Sequence, residues 1–198
     1  AKSVVLATGG ITRCWSVCSG SWEYTGDGHA LALWAGAELR DMEFVQFHPT
    51  GMVWPPSVRG ILVTEGVRGE GGRLLNSNQE RFMFNYVPEM FQGDHAETIE
   101  ESDQWVEEVV SGKIATVRRP PELLTRDVVS KAINSEVKAG RGSPHGGAFL
   151  DISHRGEEAI LAKLPSMHHQ FKELAGVDIS KEPMEVGPTA HYVMGGVT

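Results

Sequence analysis

Three short segments of this chain place polar side chains directly after apolar runs: residues 46–51, 62–72 and 190–196. They present His48, the pair Thr64 and Glu65, and His191. A chain that bends after a buried run can direct a few polar groups into one site while the flanking residues stay buried. Imidazole and hydroxyl groups donate hydrogen bonds to carboxylate oxygens. The three segments therefore predict a converging site for an anion or a dicarboxylate.

Arg126 is the candidate cation of that site. It follows Thr125, a favourable N-cap residue, and precedes Asp127, which suits a first helical turn. An arginine at the positive end of a helix opposes the macrodipole, and a bound anion would compensate for it. The alternative is a surface arginine paired with Asp127 or with a neighbouring carboxylate. For the two histidines the alternative is a structural role with backbone hydrogen bonds, and for Thr64 and Glu65 it is a cap at a strand end.

Composition and short motifs exclude several classes of protein. The net charge of −8 argues against nonspecific nucleic-acid binding, which requires a basic face. No apolar run approaches the roughly 20 residues of a membrane-spanning helix. Cys14 and Cys18 are spaced neither as a redox pair nor as part of a zinc site, so we expect two reduced thiols. No P-loop, G-x-S-x-G motif or set of metal ligands is present, and no metal site is predicted.

Hydrophobic periodicity and turn residues predict a mixed, α+β fold. The predicted strands are residues 4–7, 39–47, 61–64 and 149–152, with Pro49 ending the second. The predicted helices begin after the turn at 25–28, within the acidic stretch 92–121, at 125–127, at 157 and at 166. Glycines at 140, 142 and 176 are expected to end the third helix and the last one.

Six strings in register resemble the flavoprotein subunit of succinate dehydrogenase and fumarate reductase. They are residues 7–10, 25–28, 46–51, 62–72, 126–129 and 191–196. The resemblance implies a complete capping domain flanked by partial pieces of an α/β FAD-binding domain. On this basis residues 1–43 and 188–198 belong to the flavin domain, and residues 44–187 form the cap that closes over the substrate.

The resemblance also implies a role for each candidate residue. His48, Thr64 and His191 would bind the substrate carboxylates, Arg126 would donate or accept the proton, and Glu65 would pass protons to Arg126. The residues expected to line FAD are Thr8, Gly9, Gly10 and Asp27. The implied reaction interconverts succinate and fumarate by hydride transfer with FAD, a redox step that the cofactor performs while the protein positions and polarises the substrate.

Further expectations concern the complete protein that the resemblance implies. Its partners would be membrane-anchor subunits together with an iron–sulfur subunit, and they would hold it at the cytoplasmic side of the inner membrane. The chain lacks an initiator Met and begins within an expected strand, which indicates a piece of a longer polypeptide. The family's G-x-G-x-x-G fingerprint, its FAD-linking histidine and a second substrate-binding arginine are absent from these residues. The chain alone is therefore expected to bind FAD poorly and to be inactive.

Two alternatives compete with this interpretation. L-aspartate oxidase resembles the chain over the same strings, but it tends to have Ala where this chain has Gly66, and Thr-Cys where it has Val193 and Met194. A noncatalytic cap module that binds small acids or a partner is the other alternative. The acidic stretch 92–121 is longer than the usual cap of the family, and no role is predicted for it.

Overall fold

A four-stranded antiparallel sheet carries two of the three polar segments, and one long helix packs on it. The computed structural model describes all residues from 1 to 198. The strands lie in the order β2-β5-β4-β3. They are β2 (Val45–Met52), β3 (Arg73–Leu75), β4 (Ala148–Asp151) and β5 (Met184–Val193). A separate two-stranded sheet pairs β1 (Leu39–Arg40) with β6 (Gly196–Val197).

Six α-helices accompany the sheets. They are α1 (Asp27–Trp34), α2 (Gly66–Gly69), α3 (Ile99–Val110), α4 (Arg126–Lys138), α5 (Glu157–Lys163) and α6 (Pro165–Ala175). None of these helices combines the length and the apolarity required to cross a membrane.

One core of 20 buried apolar residues joins the sheet to α4, α5 and α6. Val129, Ala132 and Ile133 form the buried side of α4, and Leu150 and Met184 contribute from β4 and β5. Only this side of α4 is apolar, so its burial against the sheet fixes the orientation of the helix. The N-terminus of α4, where Arg126 lies, is therefore held beside β2.

The α+β prediction is confirmed, as are the five predicted helices. The helices after 25–28, within 92–121, from 125–127, at 157 and at 166 correspond to α1, α3, α4, α5 and α6. Gly176 ends α6 in the left-handed conformation, as expected for a glycine C-cap. The predicted strand at 149–152 corresponds to β4, shifted by one residue. The domain limits at 43/44 and 187/188 stay predictions.

The prediction of a buried strand at residues 4–7 is wrong for this chain. The segment has no regular structure, and Val4 and Val5 are 78% and 87% exposed. A strand is stabilised by neighbouring strands, and no segment of the 198 residues pairs with this one. Apolar composition alone therefore did not determine its structure.

Two further strand predictions are corrected. The stretch 39–47 contains two strands, and Pro49 lies inside β2 instead of ending it. β2 is an edge strand, where proline is tolerated. Residues 61–64 form no strand but a single bridge from Leu62 to Gly51, followed by the one-turn helix α2.

The longest strand, β5, was not predicted at all. Pro188 interrupts the strand-like sequence of residues 184–193. Proline is disfavoured in a central strand, yet β5 is a central strand of the sheet. The register shows why: His48 pairs with Thr189, Gly51 pairs with Gly187, and two residues of β2 oppose only Pro188 in between. This β-bulge places Pro49 and Pro188 together where the ladder is already interrupted, so neither missing N–H removes a regular hydrogen bond.

Candidate functional site

Arg126 is held by two side chains from other segments. It is the first residue of α4, and its Nε lies 3.3 Å from Glu65 Oε2 while its Nη1 donates to Gln46 Oε1 at 2.9 Å. A pair with Asp127 does not occur, because Asp127 instead contacts Lys131 at 3.4 Å. The ion pair with Glu65 is a carboxylate partner of the kind that the alternative included. Both partners of Arg126 come from the predicted polar segments.

A second arginine, Arg68, forms a row of three charged side chains with Glu65 and Arg126. The sequence analysis did not predict it as a site residue. Arg68 Nη2 lies 3.4 Å from the same Glu65 oxygen, so Glu65 bridges two guanidiniums. Arg68 is 1% exposed; its Nη1 donates to the Glu122 carbonyl, and its Nε and Nη2 have no hydrogen-bond partner. Burial lowers the pKa of Arg68, against the opposing effect of Glu65. Its spacing three residues after Glu65, across the turn of α2, was the available signal.

His48 lies on β2 and is almost fully buried, with 2% exposed. Its Nδ1 faces the Thr50 backbone, 3.2 Å from the carbonyl oxygen and 3.3 Å from the amide nitrogen. Burial lowers the pKa of His48 to about 4, and the charges of Arg68 and Arg126 act in the same direction. His48 is therefore neutral near neutral pH, and its hydrogen bonds within the chain involve Nδ1 and not Nε2.

His191 reaches the same place from β5. Its ring centroid lies 5.4 Å from that of His48. The Nδ1 atom lies 2.7 Å from Ser19 Oγ. Burial lowers the pKa of His191 as well, followed by the charge of Arg126. The pairing of β2 with β5 produces this proximity, because Gln46 and His48 lie opposite Tyr192 and Thr189.

Thr64 lies next to Glu65 in the chain, but its hydroxyl is engaged locally. Its Oγ1 accepts a hydrogen bond from Gly66 N at 3.3 Å, at the start of α2. That contact is a local hydrogen bond between side chain and backbone, and it is not the predicted strand-end cap, because residues 61–64 form no strand. The structure thus brings His48, His191, Glu65 and Arg126 together, and leaves Thr64 beside them with an exposed side chain.

A cavity of about 920 Å³ opens beside Arg126. Gln46, Glu65 and Arg126 contribute to its wall, whereas His48 and His191 do not. Arg119 and Lys131 add two cations, and the opposing carboxylates are Glu65 and Asp127. Backbone and side chains around the α4 N-terminus form most of the remaining wall: Leu123, Leu124, Thr125, Ser130 and Asn134. The cavity is large enough for a small carboxylic acid together with a bulkier group.

The residues expected to line FAD gather at the start of α1. Gly9 has a φ of +74° and lies against the Tyr24 ring, and a Cβ on Gly28 would overlap the Thr8 hydroxyl. Gly10 is open on the side where a Cβ would point, and Asp27 is the exposed first residue of α1. A close-packed glycine turn beside a helix N-terminus suits a polar or anionic edge of a dinucleotide. These residues fit one edge of FAD, and their assignment stays a prediction.

Comparison with known proteins defines the class of this chain. It belongs to the FAD binding domain family, whose model matches residues 1–198. It is 49% identical over 197 residues to a fumarate reductase (CoM/CoB) subunit of Methanothermobacter marburgensis, covering 100% of this chain and 30% of that protein. It is 40% identical to the succinate dehydrogenase flavoprotein subunit of Rickettsia bellii, over 100% of this chain and 28% of that protein.

A solved structure supports the same relationship. Mycobacterium smegmatis Sdh1 in complex with UQ1 matches with a TM-score of 0.74 and 58% identity, over 100% of this chain and 28% of that chain. The chain therefore spans less than a third of the length of these relatives. The resemblance to succinate dehydrogenase and fumarate reductase flavoproteins is confirmed.

Proposed function

We propose that this chain forms the carboxylate-binding and proton-transferring part of an FAD-dependent flavoprotein that interconverts succinate and fumarate. The observation that carries the proposal is the bridge of Glu65 between Arg126 and Arg68, next to His48 and His191. The family of the chain and the names of its relatives support the same reaction. The activity is proposed for the complete flavoprotein, and the 198 residues alone are proposed to be inactive.

The charges of the site favour an anion. Two guanidiniums face one carboxylate, and both histidines have lowered pKa values that favour their neutral form, so the group keeps an excess of one positive charge. Arg68 has unpartnered buried donors, a state that costs free energy unless an anion compensates. A dicarboxylate placed between Arg126 and the histidines would supply that charge. Arg126, the Nε2 atoms of His48 and His191 and the Thr64 hydroxyl are the proposed donors to its oxygens.

FAD, when bound, supplies the acceptor or donor of the hydride at one methylene carbon of the substrate. Thr8, Gly9, Gly10 and Asp27 are the residues proposed to hold part of it. The side chains of the site must then move a proton at the neighbouring carbon. Fixed positive groups around the two carboxylates of the substrate would stabilise the negative charge that develops on the substrate during the reaction.

Arg126 is the proposed proton donor and acceptor. A free guanidinium has a pKa above about 12, which makes it a slow acid unless it is reprotonated at once. Glu65 lies 3.3 Å from Arg126 Nε and 3.4 Å from Arg68 Nη2, so a proton can be exchanged along the row. The lowered pKa of the buried Arg68 favours such exchange.

Electron partners are proposed from the relatives. The Rickettsia bellii protein is named a flavoprotein subunit, and the Sdh1 structure is a complex with UQ1. By analogy the complete protein would exchange electrons with an iron–sulfur subunit. Membrane-anchor subunits would hold it at the cytoplasmic side of the inner membrane.

The test replaces Arg126 in the complete flavoprotein. Arg126→Gln removes the proton donor and should lower kcat for succinate oxidation and fumarate reduction by about 10³-fold, within the range of general acid–base contributions. Arg126→Lys should restore little, because an ammonium cannot contact Gln46 and Glu65 in the same planar geometry. Lys138→Gln, at the exposed far end of α4, is the matched control. Flavin content is measured for each variant.

The outcomes separate the hypotheses. Arg126→Gln with kcat within tenfold of wild type would remove Arg126 from proton transfer. A wild-type flavoprotein that oxidises L-aspartate but not succinate would belong to the alternative class. Stabilisation by malonate without any turnover would support a noncatalytic binding module, because stabilisation requires only binding to the folded state.

A further inference from the structure

A hydroxyl near the start of the chain contacts the last histidine of the site. Ser19 Oγ lies 2.7 Å from His191 Nδ1, although 172 positions separate the two residues. We infer that Ser19 is a positioning residue that holds neutral His191 in the tautomer with its proton on Nε2. That tautomer presents a hydrogen-bond donor to a ligand carboxylate. The inference rests on the proposed function only for the identity of the ligand.

The backbone fixes Ser19 beside His191. Ala190 N donates to Val17 O at 3.0 Å, and Ser19 N donates to Ala190 O at 3.0 Å. Cys18 is thereby bridged in parallel to Ala190, the residue before His191. A serine side chain has only one rotatable bond before its oxygen, so this backbone pairing determines where the hydroxyl can reach. The contact is built into the fold of the segment.

The hydrogen-bond distances then favour one tautomer. A neutral imidazole has one donor nitrogen and one acceptor nitrogen. The lowered pKa of His191 keeps the ring neutral near neutral pH. The Ser19 hydroxyl has one proton, and its contact with Nδ1 at 2.7 Å is shorter than its contact with Ala190 O at 3.3 Å. When that proton is donated to Nδ1, the ring proton lies on Nε2.

Without the hydroxyl this selection would be lost. Nδ1 would have no donor, the tautomer with its proton on Nδ1 would become populated, and Nε2 would then present a lone pair to the carboxylate. A lone pair facing an anion is repulsive, so the histidine would bind the ligand less well in part of the molecules. The expected consequence is weaker substrate binding, with the chemical step little changed.

The experiment compares Ser19→Ala, Ser19→Thr and Ser21→Ala in the complete flavoprotein. Ser21 lies in the same loop but bonds to Glu23, so its replacement controls for changes of the loop. Ser19→Ala should raise KM for succinate about tenfold while kcat stays within about threefold, as expected for loss of one hydrogen bond to a charged group. Ser19→Thr keeps a hydroxyl and should restore KM, and Ser21→Ala should match wild type.

A second readout reports the tautomer directly. In flavoprotein labelled with ¹⁵N-histidine, long-range proton–nitrogen correlations identify the protonated nitrogen of His191, whose signal is assigned by its loss in His191→Gln. Wild type and Ser19→Thr should show the proton on Nε2, and Ser19→Ala should show a mixture. An unchanged tautomer in Ser19→Ala would overturn the inference. A wild type without activity on succinate or fumarate would refute the proposed function and leave this spectroscopic comparison valid.

Discussion

Glu65 shows how far residue-level prediction could reach. The order Thr-Glu after an apolar run indicated a carboxylate aimed into a site, and Glu65 does contact Arg126. The second contact, with Arg68, depends on the turn of α2, which residues 66–72 did not reveal because glycines permit many conformations. Gln46 was likewise not predicted as a site residue, although Arg126 donates a hydrogen bond to it.

His48 leads to a prediction about pH and stability. Its pKa is lowered from the ordinary value of 6.5 to about 4, so between these values the unfolded chain binds more protons than the folded one. Stability from this residue is present above about pH 6.5 and decreases as the pH falls toward 4, by about 3 kcal/mol for a shift of this size. His48→Gln should remove that contribution and flatten the pH dependence of the free energy of unfolding.

Urea unfolding between pH 4 and 7 measures this effect. His169→Gln, at an exposed position of α6, is the control for losing one imidazole. His95, His154 and His191 also have lowered pKa values and contribute in the same direction in every variant, so a residual slope is expected. Identical slopes in His48→Gln and wild type would contradict the prediction.

At the scale of elements, the acidic stretch 92–121 forms ion pairs with arginines from other segments. Asp103 of α3 lies 2.8 Å from Arg73 and 3.0 Å from Arg81, and Arg155 Nη1 lies 2.6 Å from Glu107 Oε1. These ion pairs therefore attach α3 to basic residues that lie outside the acidic stretch. The sequence predicted a helix in this stretch but could not show which cations would face it, since they come from distant segments.

The start of α3 gives a second prediction. Thr98 Oγ1 accepts a hydrogen bond from Glu101 N at 3.2 Å, and Glu101 Oε2 accepts one from Glu97 N at 3.0 Å, which together resemble a capping box. Thr98→Ala should lower the free energy of unfolding by about 1 kcal/mol, as for other N-cap removals. Thr98→Ser keeps the acceptor and should lose only a few tenths. Equal stabilities of the alanine and serine variants in urea unfolding would show that the cap contributes nothing.

At the scale of the whole molecule, solvent-exposed apolar side chains are distributed unevenly along the chain. Large exposed apolar side chains are concentrated in residues 4–44, where Val4, Val5, Trp22, Trp34 and Phe44 are each more than half exposed. The sheet and α4 to α6, in contrast, enclose a closed core. The loop 8–10 proposed to contact FAD lies in the exposed region, so no second layer of this chain covers it.

This arrangement predicts weak cofactor binding by the 198 residues alone. FAD binding requires a pyrophosphate site of the G-x-G-x-x-G type at a helix N-terminus, and the sequence contains no such motif. After mixing with FAD and gel filtration, the chain should emerge colourless, while the complete flavoprotein treated identically should be yellow. A stoichiometric yellow complex of the isolated chain would contradict the prediction.

The sequence by itself determined the chemical groups available to the site and most of the helices, because side-chain type and helical periodicity are local properties. Only the tertiary structure decided which groups meet. His48 and His191, Gln46 and Arg126, and Ser19 and His191 are far apart in the chain and become neighbours through the β2–β5 register and the packing of α4. Register and packing depend on the whole core at once, so no local pattern records them.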